Sequence, residues 1–542
     1  MLYAATLLLL CALSAAVKGQ EISGCPLYGC TPGGTFSLDS VITSADVEVA
    51  WTAQLENSTT GANVLLGCVS NENYIVCPTS KGYVSLDPKT GKELWRRDIL
   101  LKPSLPIMDV GGDIIGSDGR SLVMIDGDGT TQPVITLDVP VDSIYSLNLL
   151  DIGAFLIVSK TGEVIAYLIN GVPLASLILT GEVDGHDGIF HPMAQPVISG
   201  NRAYILTEFK PKAQNVSKKF ACRLIAIDVN ESITDRIAVV WFMELQDQSS
   251  LRQQPQSNAN SLPPLSSKAL KLIHKRTNLL LKFHPKITPR TPRTPRKRYK
   301  LFVENNINKV KTGYFFISKL SSHYPDNKLG LGNNQSWLPS LLVQNHIVYL
   351  SLSATQITGD TNDSSTSKMI AIKDSHNQGT VLFSDNKPLS YLASVRNQFK
   401  QGNNKRTNVD NTLIWTIGKL NGNILEGVDF LTGQVMAKTN LSASFGEDVN
   451  ITSQLMVTFV KTKYLFNFGI ETKASGVQTF YYASMEYDPK SNITHILFKI
   501  NSPGNKEIVG QIISVTTTNN KEYMLARTVD GGIFALKNKN DT

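Results

Sequence analysis

One hairpin recurs along the chain, and it constrains the fold more than any other feature. Residues 82–95 read G-Y-V-S-L-D-P-K-T-G-K-E-L-W, and residues 427–437 read G-V-D-F-L-T-G-Q-V-M-A. Aligning Asp87 with Asp429 also aligns Thr90 with Thr432 and Gly91 with Gly433. The chemistry is that of a tight turn between two strands. An Asp closes the first strand and accepts nearby backbone N–H groups. A Gly takes the positive φ that reverses the chain. Trp95 then offers a large apolar body for packing against a neighbouring sheet.

Weaker copies follow. Asp488-Pro489-Lys490 repeats the Asp87-Pro88-Lys89 turn, and Met124-Ile125-Asp126 is followed by Gly127 and Gly129. Leu224–Asp228, Met369–Ile372 and Gly532–Leu536 match the strand that enters the turn. A Pro-led strand pair precedes several copies, as in 196–206 and 339–350. Strand-like runs break at Gly, Asn, Asp or Pro every 8–12 residues or so, and no segment carries a long helical period. One unit is therefore four short strands. Units are expected near 62–100, 103–140, 145–180, 193–247, 336–386, 390–440, 453–500 and 508–537. The last lacks a final strand, and 47–55 (V-E-V-A-W-T-A-Q-L) is an orphan one. Pairing the two closes a ring of eight blades, with seven also compatible. The predicted fold is an all-β propeller closed by its N-terminal strand.

These motifs resemble the quinoprotein (PQQ) repeat of propellers related to pyrroloquinoline-quinone alcohol dehydrogenases. The resemblance spans most of 45–537 and is sharpest from Leu86 to Trp95. It implies a propeller and raises the prospect of a quinone bound with calcium beneath a vicinal disulfide, over a Trp floor, beside a catalytic Asp. This chain has no adjacent cysteines. Trp51, Trp95 and Trp241 fall at blade-turn positions, and only Trp337 and Trp415 remain. No catalytic Asp or calcium set maps onto numbered positions. A fold does not bring its function with it. The expectation is a non-catalytic scaffold, without cofactor, that binds an extracellular protein or glycan. The alternatives are a divergent oxidoreductase using pyrroloquinoline quinone with calcium, and a self-associating structural protein.

The compartment is read from the N-terminus. Residues 1–19 form a secretory signal with an apolar stretch from Ala4 to Val17. No later run has the ~20 apolar residues of a spanning helix, and nucleic acid is not an expected partner. Past the signal, a Cys-containing extension runs over 20–46, blades over 47–247 and 336–537, and a tail over 538–542. Cys25, Cys30, Cys68, Cys77 and Cys222 remain after cleavage, an odd number. Cys25 with Cys30 and Cys68 with Cys77 is one pairing, and cross-pairing fits the sequence equally well. Cys222 is the expected odd thiol. Sequons begin at Asn57, Asn215, Asn230, Asn334, Asn362, Asn440, Asn450 and Asn492, with a terminal one at Asn540.

Two further features invite function. D-G-H-D-G-I-F-H at 184–191 gathers Asp184, His186, Asp187 and His191, donors suited to a divalent metal or simply a Gly-rich surface loop. Asp126–Gly129 reads as a hairpin turn rather than a calcium loop. Residues 248–335 break the repeat, with three T-P-R triplets at 288–296 that favour an extended, solvated chain. A short helix at 270–283 fits this stretch too. The segment is a disordered loop, a basic arm for an acidic partner, or a translated intron. Its charge is concentrated: residues 251–320 hold 16 Lys or Arg and the single acid Glu304. The chain's formal +7 is therefore the sum of this segment and an acidic remainder. Sequencing the transcript across codons 245–338 decides the third reading, which an intact frame removes.

Overall fold

Short runs of Val, Ile, Leu, Tyr and Phe between turn residues pair with their nearest neighbours, and here they do so four at a time. The computed structural model describes residues 24–56, 66–109, 112–137, 144–168, 171–212, 222–230, 236–245, 253–254, 340–352, 367–387, 389–395, 413–418, 424–474 and 477–540. They belong to the unit Met1–Ser257 with Ser336–Thr542. The unit Asn258–Gln335 lies outside the described residues, as do the signal, the T-P-R triplets and the 270–283 helix expectation.

Eight antiparallel sheets form the blades, each running from axis to rim. Blade 1 is Val69–Ser70, Ile75–Thr79, Gly82–Leu86 and Glu93–Arg97. Blade 2 is Ile107–Met108, Ile114–Ser117, Ser121–Ile125 and Ile135–Thr136. Blade 3 is Ile144–Leu150, Ala154–Ser159, Glu163–Leu168 and Pro173–Ile178. Blade 4 is Val197–Ser199, Arg202–Pro211, Cys222–Val229 and Ile237–Glu244. Blade 5 is Ser340–Gln344, Ile347–Leu352, Lys368–Asp374 and Gly379–Asn386. Blade 6 is Ser390–Ser394, Leu413–Gly418, Ile424–Asp429 and Val435–Asn440. Blade 7 is Met456–Val460, Lys463–Ala474, Val477–Asp488 and Ile493–Asn501. Blade 8 is Ile508–Thr516, Glu522–Thr528 and Gly532–Asn538, completed at the rim by Val47–Gln54. That closing pair runs antiparallel from Val47 opposite Asn538 to Gln54 opposite Gly532. The inner strand of blade 8 lies beside that of blade 1, so the ring has eight blades rather than seven. Apolar side chains fill the spaces between neighbouring sheets.

The recurring motif holds blade to blade. In each of several rim strands a bulge sets one residue opposite the strand before it: Trp51 against Ala535, Trp95 against Ser85, Trp241 against Ala226, Phe383 against Ala371. The rings of Trp51, Trp95 and Phe383 each lie on the turn glycine of the next blade. A Cβ at Gly91 would stand 2.3 Å from the Trp51 ring, one at Gly129 2.5 Å from Trp95, and one at Gly433 2.7 Å from Phe383. The indole N–H groups donate onward as well. Trp51 reaches the Pro88 carbonyl at 2.8 Å, and Trp95 reaches Gly127 at 3.1 Å. Asp87 accepts from the Lys89 and Thr90 backbone N–H groups, and Asp429 from those of Leu431 and Thr432. Ala437 holds the aromatic's register position in blade 6, opposite Gly427. There the bulk comes from the second strand instead: Trp415 is buried against Tyr464, Phe466 and Tyr487 of blade 7.

Between blades 4 and 5 the indole of Trp241 donates to Asp374 at 3.1 Å. Asp374 also accepts from Tyr204 at 2.6 Å and from Arg202, which in turn grips Asp228. Burial alone would raise the Asp374 carboxyl, but the hydrogen bonds from Tyr204 and Arg202, the Arg202 charge and the Trp241 bond hold it below its ordinary 3.8.

Two outcomes follow for stability. Gly91→Ala places a Cβ inside the Trp51 ring at a left-handed φ of 67°. Overpacking plus the left-handed cost should remove about 2–4 kcal/mol in urea unfolding. The lowered Asp374 value means its contribution is complete above the unfolded carboxylate range. It is lost as pH falls through 3.8 toward the lower folded value. Asp374→Asn should flatten the acid side of the stability–pH curve, read by thermal unfolding from pH 6 downward.

Candidate functional site

The axis of the ring is occupied by the chain's own N-terminal extension. Residues 24–38 contain two glycine-rich turns and little regular structure, so their backbone groups need partners from outside. The inner strands of all eight blades supply them. Cys25 exchanges backbone bonds with Ser70 of blade 1 at 3.0 and 2.9 Å, and Pro26 accepts from Met108 of blade 2 at 2.8 Å. Pro32 accepts from the Asn148 side chain of blade 3 at 3.2 Å and from the Ile198 N–H of blade 4 at 2.7 Å. Gly33 and Thr35 accept from Val343 of blade 5 and Ser394 of blade 6, both at 2.8 Å. Phe36 and Leu38 bracket Val457 of blade 7, each bond being 3.0 Å. On blade 8, Gln511 accepts from the Gly29 N–H at 2.8 Å and donates to Leu27.

This plug is cross-linked within itself. Cys25 and Cys30 form a disulfide across the loop, and Cys68 and Cys77 form another across the first hairpin of blade 1. The local pairing left open by sequence is thus the one observed. Cys222 lies outside both disulfides, buried, with its pKa pushed up to about 12 by burial. Gly33 permits the closest approach: a Cβ there would stand 2.6 Å from the Val343 carbonyl. Cys25, Leu27, Cys30, Phe36 and Leu38 are each no more than 3% exposed. These residues do not fit a quinone on the axis. The groups that would face it are bonded to the plug, and the cysteines there are not adjacent. Among the described residues no cluster of three His, Cys, Asp or Glu side chains is placed to hold a metal.

One face of the ring is built up. Antiparallel alternation sends the second-to-third strand hairpin and the link between blades to the same face. On blade 4 an added hairpin, Thr180–Val183 with His186–Pro192, pairs with the far half of Arg202–Pro211. On blade 7 the strand Val449–Ile451 pairs with the far half of Lys463–Ala474. The expected loop at 184–191 is therefore a hairpin. Asp184 and Gly185 form its turn, both at positive φ. Asp184, His186 and Asp187 are exposed, while His191 is half-buried. Strand alternation sends His186 and Asp187 to opposite faces, so the four do not converge. His191 is lowered to about 4 by burial, with Lys210 adding to the effect, and is neutral near pH 7.

Aromatic rings and charges line both elevations. Arg223 lies between Phe190 and Phe242, 4.4 Å from each ring centre, and pairs with Glu244 at 2.5 Å. On blade 7, Lys499 sits 3.9 Å over Tyr481 and pairs with Glu447. Val477, at the tip of the long hairpin, is 64% exposed. Reasoning from sequence missed both the plug and these elevations. Its available signal was the run C-P-L-Y-G-C-T-P-G-G, whose turn density suits a bound loop. Asn230, Asn440, Asn450, Asn492 and Asn540 are exposed, whereas Asn57, Asn215, Asn334, Asn362 and Trp337 lie outside the described residues.

No family model matches the chain, and no curated protein matches it. Solved structures similar to it include BamB from Moraxella catarrhalis, 10% identical over 91% of this chain and 99% of that one, with a TM-score of 0.40. Another is the quinohemoprotein alcohol dehydrogenase from Comamonas testosteroni, 10% identical over 97% and 82%, at 0.41. A third is the Dos1 propeller, 9% identical over 92% and 97%, at 0.41. Likeness at this level carries no functional argument, and the blade count rests on the strand order itself.

Removing the plug's cross-link tests its place in the fold. Cys25→Ser with Cys30→Ser should cost about 2 kcal/mol by loop-closure entropy. Urea unfolding of the variant, against the parent with and without reductant, measures it.

Proposed function

We propose that this is a non-catalytic propeller of the secretory pathway that binds a protein partner through the face raised by blades 4 and 7. The plug carries the reading. The channel in which a propeller would seat a small cofactor is bonded shut by Gly24–Leu38, so recognition moves to the outer surfaces. The raised face suits protein contact: blade 7 presents Lys499 over Tyr481 and an exposed Val477, and blade 4 presents the exposed turn residues Asp184, His186 and Asp187. The signal sequence and two disulfides support an oxidising compartment. No helix among the described residues is long and apolar enough to cross a membrane. Residues 251–320 add a basic arm for an acidic partner.

The test is affinity capture with the intact chain, a chain lacking 248–335, and a variant with Val477→Asp and the 183–186 turn replaced by Asn-Gly. Capture by the intact chain should fall at least about tenfold in the face variant, with near-ultraviolet circular dichroism unchanged. That loss corresponds to roughly 1.4 kcal/mol or more of binding free energy. Equal capture by both overturns the assignment of the face. Stoichiometric uptake of pyrroloquinoline quinone with calcium, read by absorbance after dialysis, overturns the non-catalytic reading in favour of an oxidoreductase. Mass that rises with concentration in solution favours self-association.

A further inference from the structure

The blade 6 to blade 7 junction departs from the aromatic-on-glycine rule on both sides at once. The turn of blade 7 keeps the frame of the others. Asp488 accepts from the Lys490 N–H at 2.9 Å, as Asp87 does from Lys89. The residue four places on donates its N–H back to the Asp carbonyl: Asn492 at 2.8 Å, Gly91 at 2.9 Å, Gly433 at 3.0 Å. Asn492 also shares their left-handed backbone, with φ at 56° against 67° and 75°. The position that is glycine beneath Trp51 and Phe383 is therefore an asparagine here. It can be, because Ala437 stands where blade 6 would carry the aromatic. Trp415 fills the space from the second strand, against Tyr487, and Asn492 at the turn is exposed.

We infer that Asn492 is an N-glycosylation site, placed where the missing aromatic leaves the turn uncovered. This rests on the secretory reading above. The sequon is Asn492-Ile493-Thr494. Asn492 is exposed, and Tyr487 donates to its Oδ1 at 3.0 Å. Among the described residues its Nδ2 has no hydrogen-bond partner. The transfer needs an oligosaccharide on a polyprenyl diphosphate. The sugar C1–O bond breaks, a C1–Nδ2 bond forms, the diphosphate leaves with the bonding pair, and Nδ2 loses a proton to the transferase. That enzyme works on the unfolded chain, so the folded structure must accommodate the product. A turn under a Trp ring cannot, and this one can. The glycan would also shield Ile493, which is 58% exposed.

The experiment expresses the full chain with its own leader in a secretory animal cell line. Glycans are released enzymatically in heavy-oxygen water, and peptides are mapped by mass spectrometry. Labelled Asp at 492, with loss of one glycan's gel shift in Asn492→Gln, is the expected result. A chain glycosylated at other sequons but bare at 492 overturns the site. A glycan-free chain with its leader intact overturns the secretory reading and the site together. The structural half has its own readout. Ala437→Trp should lower Tm by several degrees, and Asn492→Gly added to it should restore part of the loss, the remainder being the crowding against Trp415. An Ala437→Trp variant as stable as the parent, with Asn492 retained, overturns the account of why the turn is open.

Discussion

Eight sheets that touch only their neighbours have no reason to agree on a common axis unless something spans them. Here a fifteen-residue stretch of backbone does so, through bonds that each inner strand would otherwise owe to water. Two of the inner strands, in blades 1 and 2, are only two residues long. A sheet edge of that length has little stability alone. With the plug in place, Ser70 and Met108 complete their pairing against Cys25 and Pro26. The plug is therefore as much a part of the sheets as the rim strand that closes the ring.

At the rim, cohesion comes from a contact that admits no substitution on one side only. A large ring needs a residue without a side chain beneath it, as at Trp51 and Gly91. Where the ring is gone, as at Ala437, the restriction lifts. This reciprocity ties a turn glycine to the ring that lies on it. Blades 1 and 6 preserve the full Asp–Thr–Gly turn because Trp51 and Phe383 press on it. The turn of blade 7 carries Asn492 at that position, and blade 6 offers Ala437 in place of a ring.

Much of this is legible in the sequence alone. Strand units, their number, the closing role of 47–55 and the packing task of Trp51, Trp95 and Trp241 all follow from local pattern, which a propeller expresses within each blade. The plug is not legible, since a loop that hydrogen-bonds through its backbone leaves no mark on side-chain periodicity. The 184–191 segment misleads for a related reason. Its His and Asp residues crowd together in sequence, yet an extended backbone throws alternate side chains apart. Trp415 reads as a leftover, because its value lies in the gap left by Ala437, two strands away in the same blade.

The plug also has a consequence in time. Gly29 and its partner Gln511 are separated by 482 residues. At ~5–20 residues per second, ribosomal synthesis leaves the first waiting roughly 25–100 s for the second. Throughout that interval the most apolar stretch of the extension has no wall to rest against, and two cysteines stand beside it with three more soon to follow. A chain whose keystone is made first and whose arch is made last must depend on whatever shelters nascent chains in its compartment.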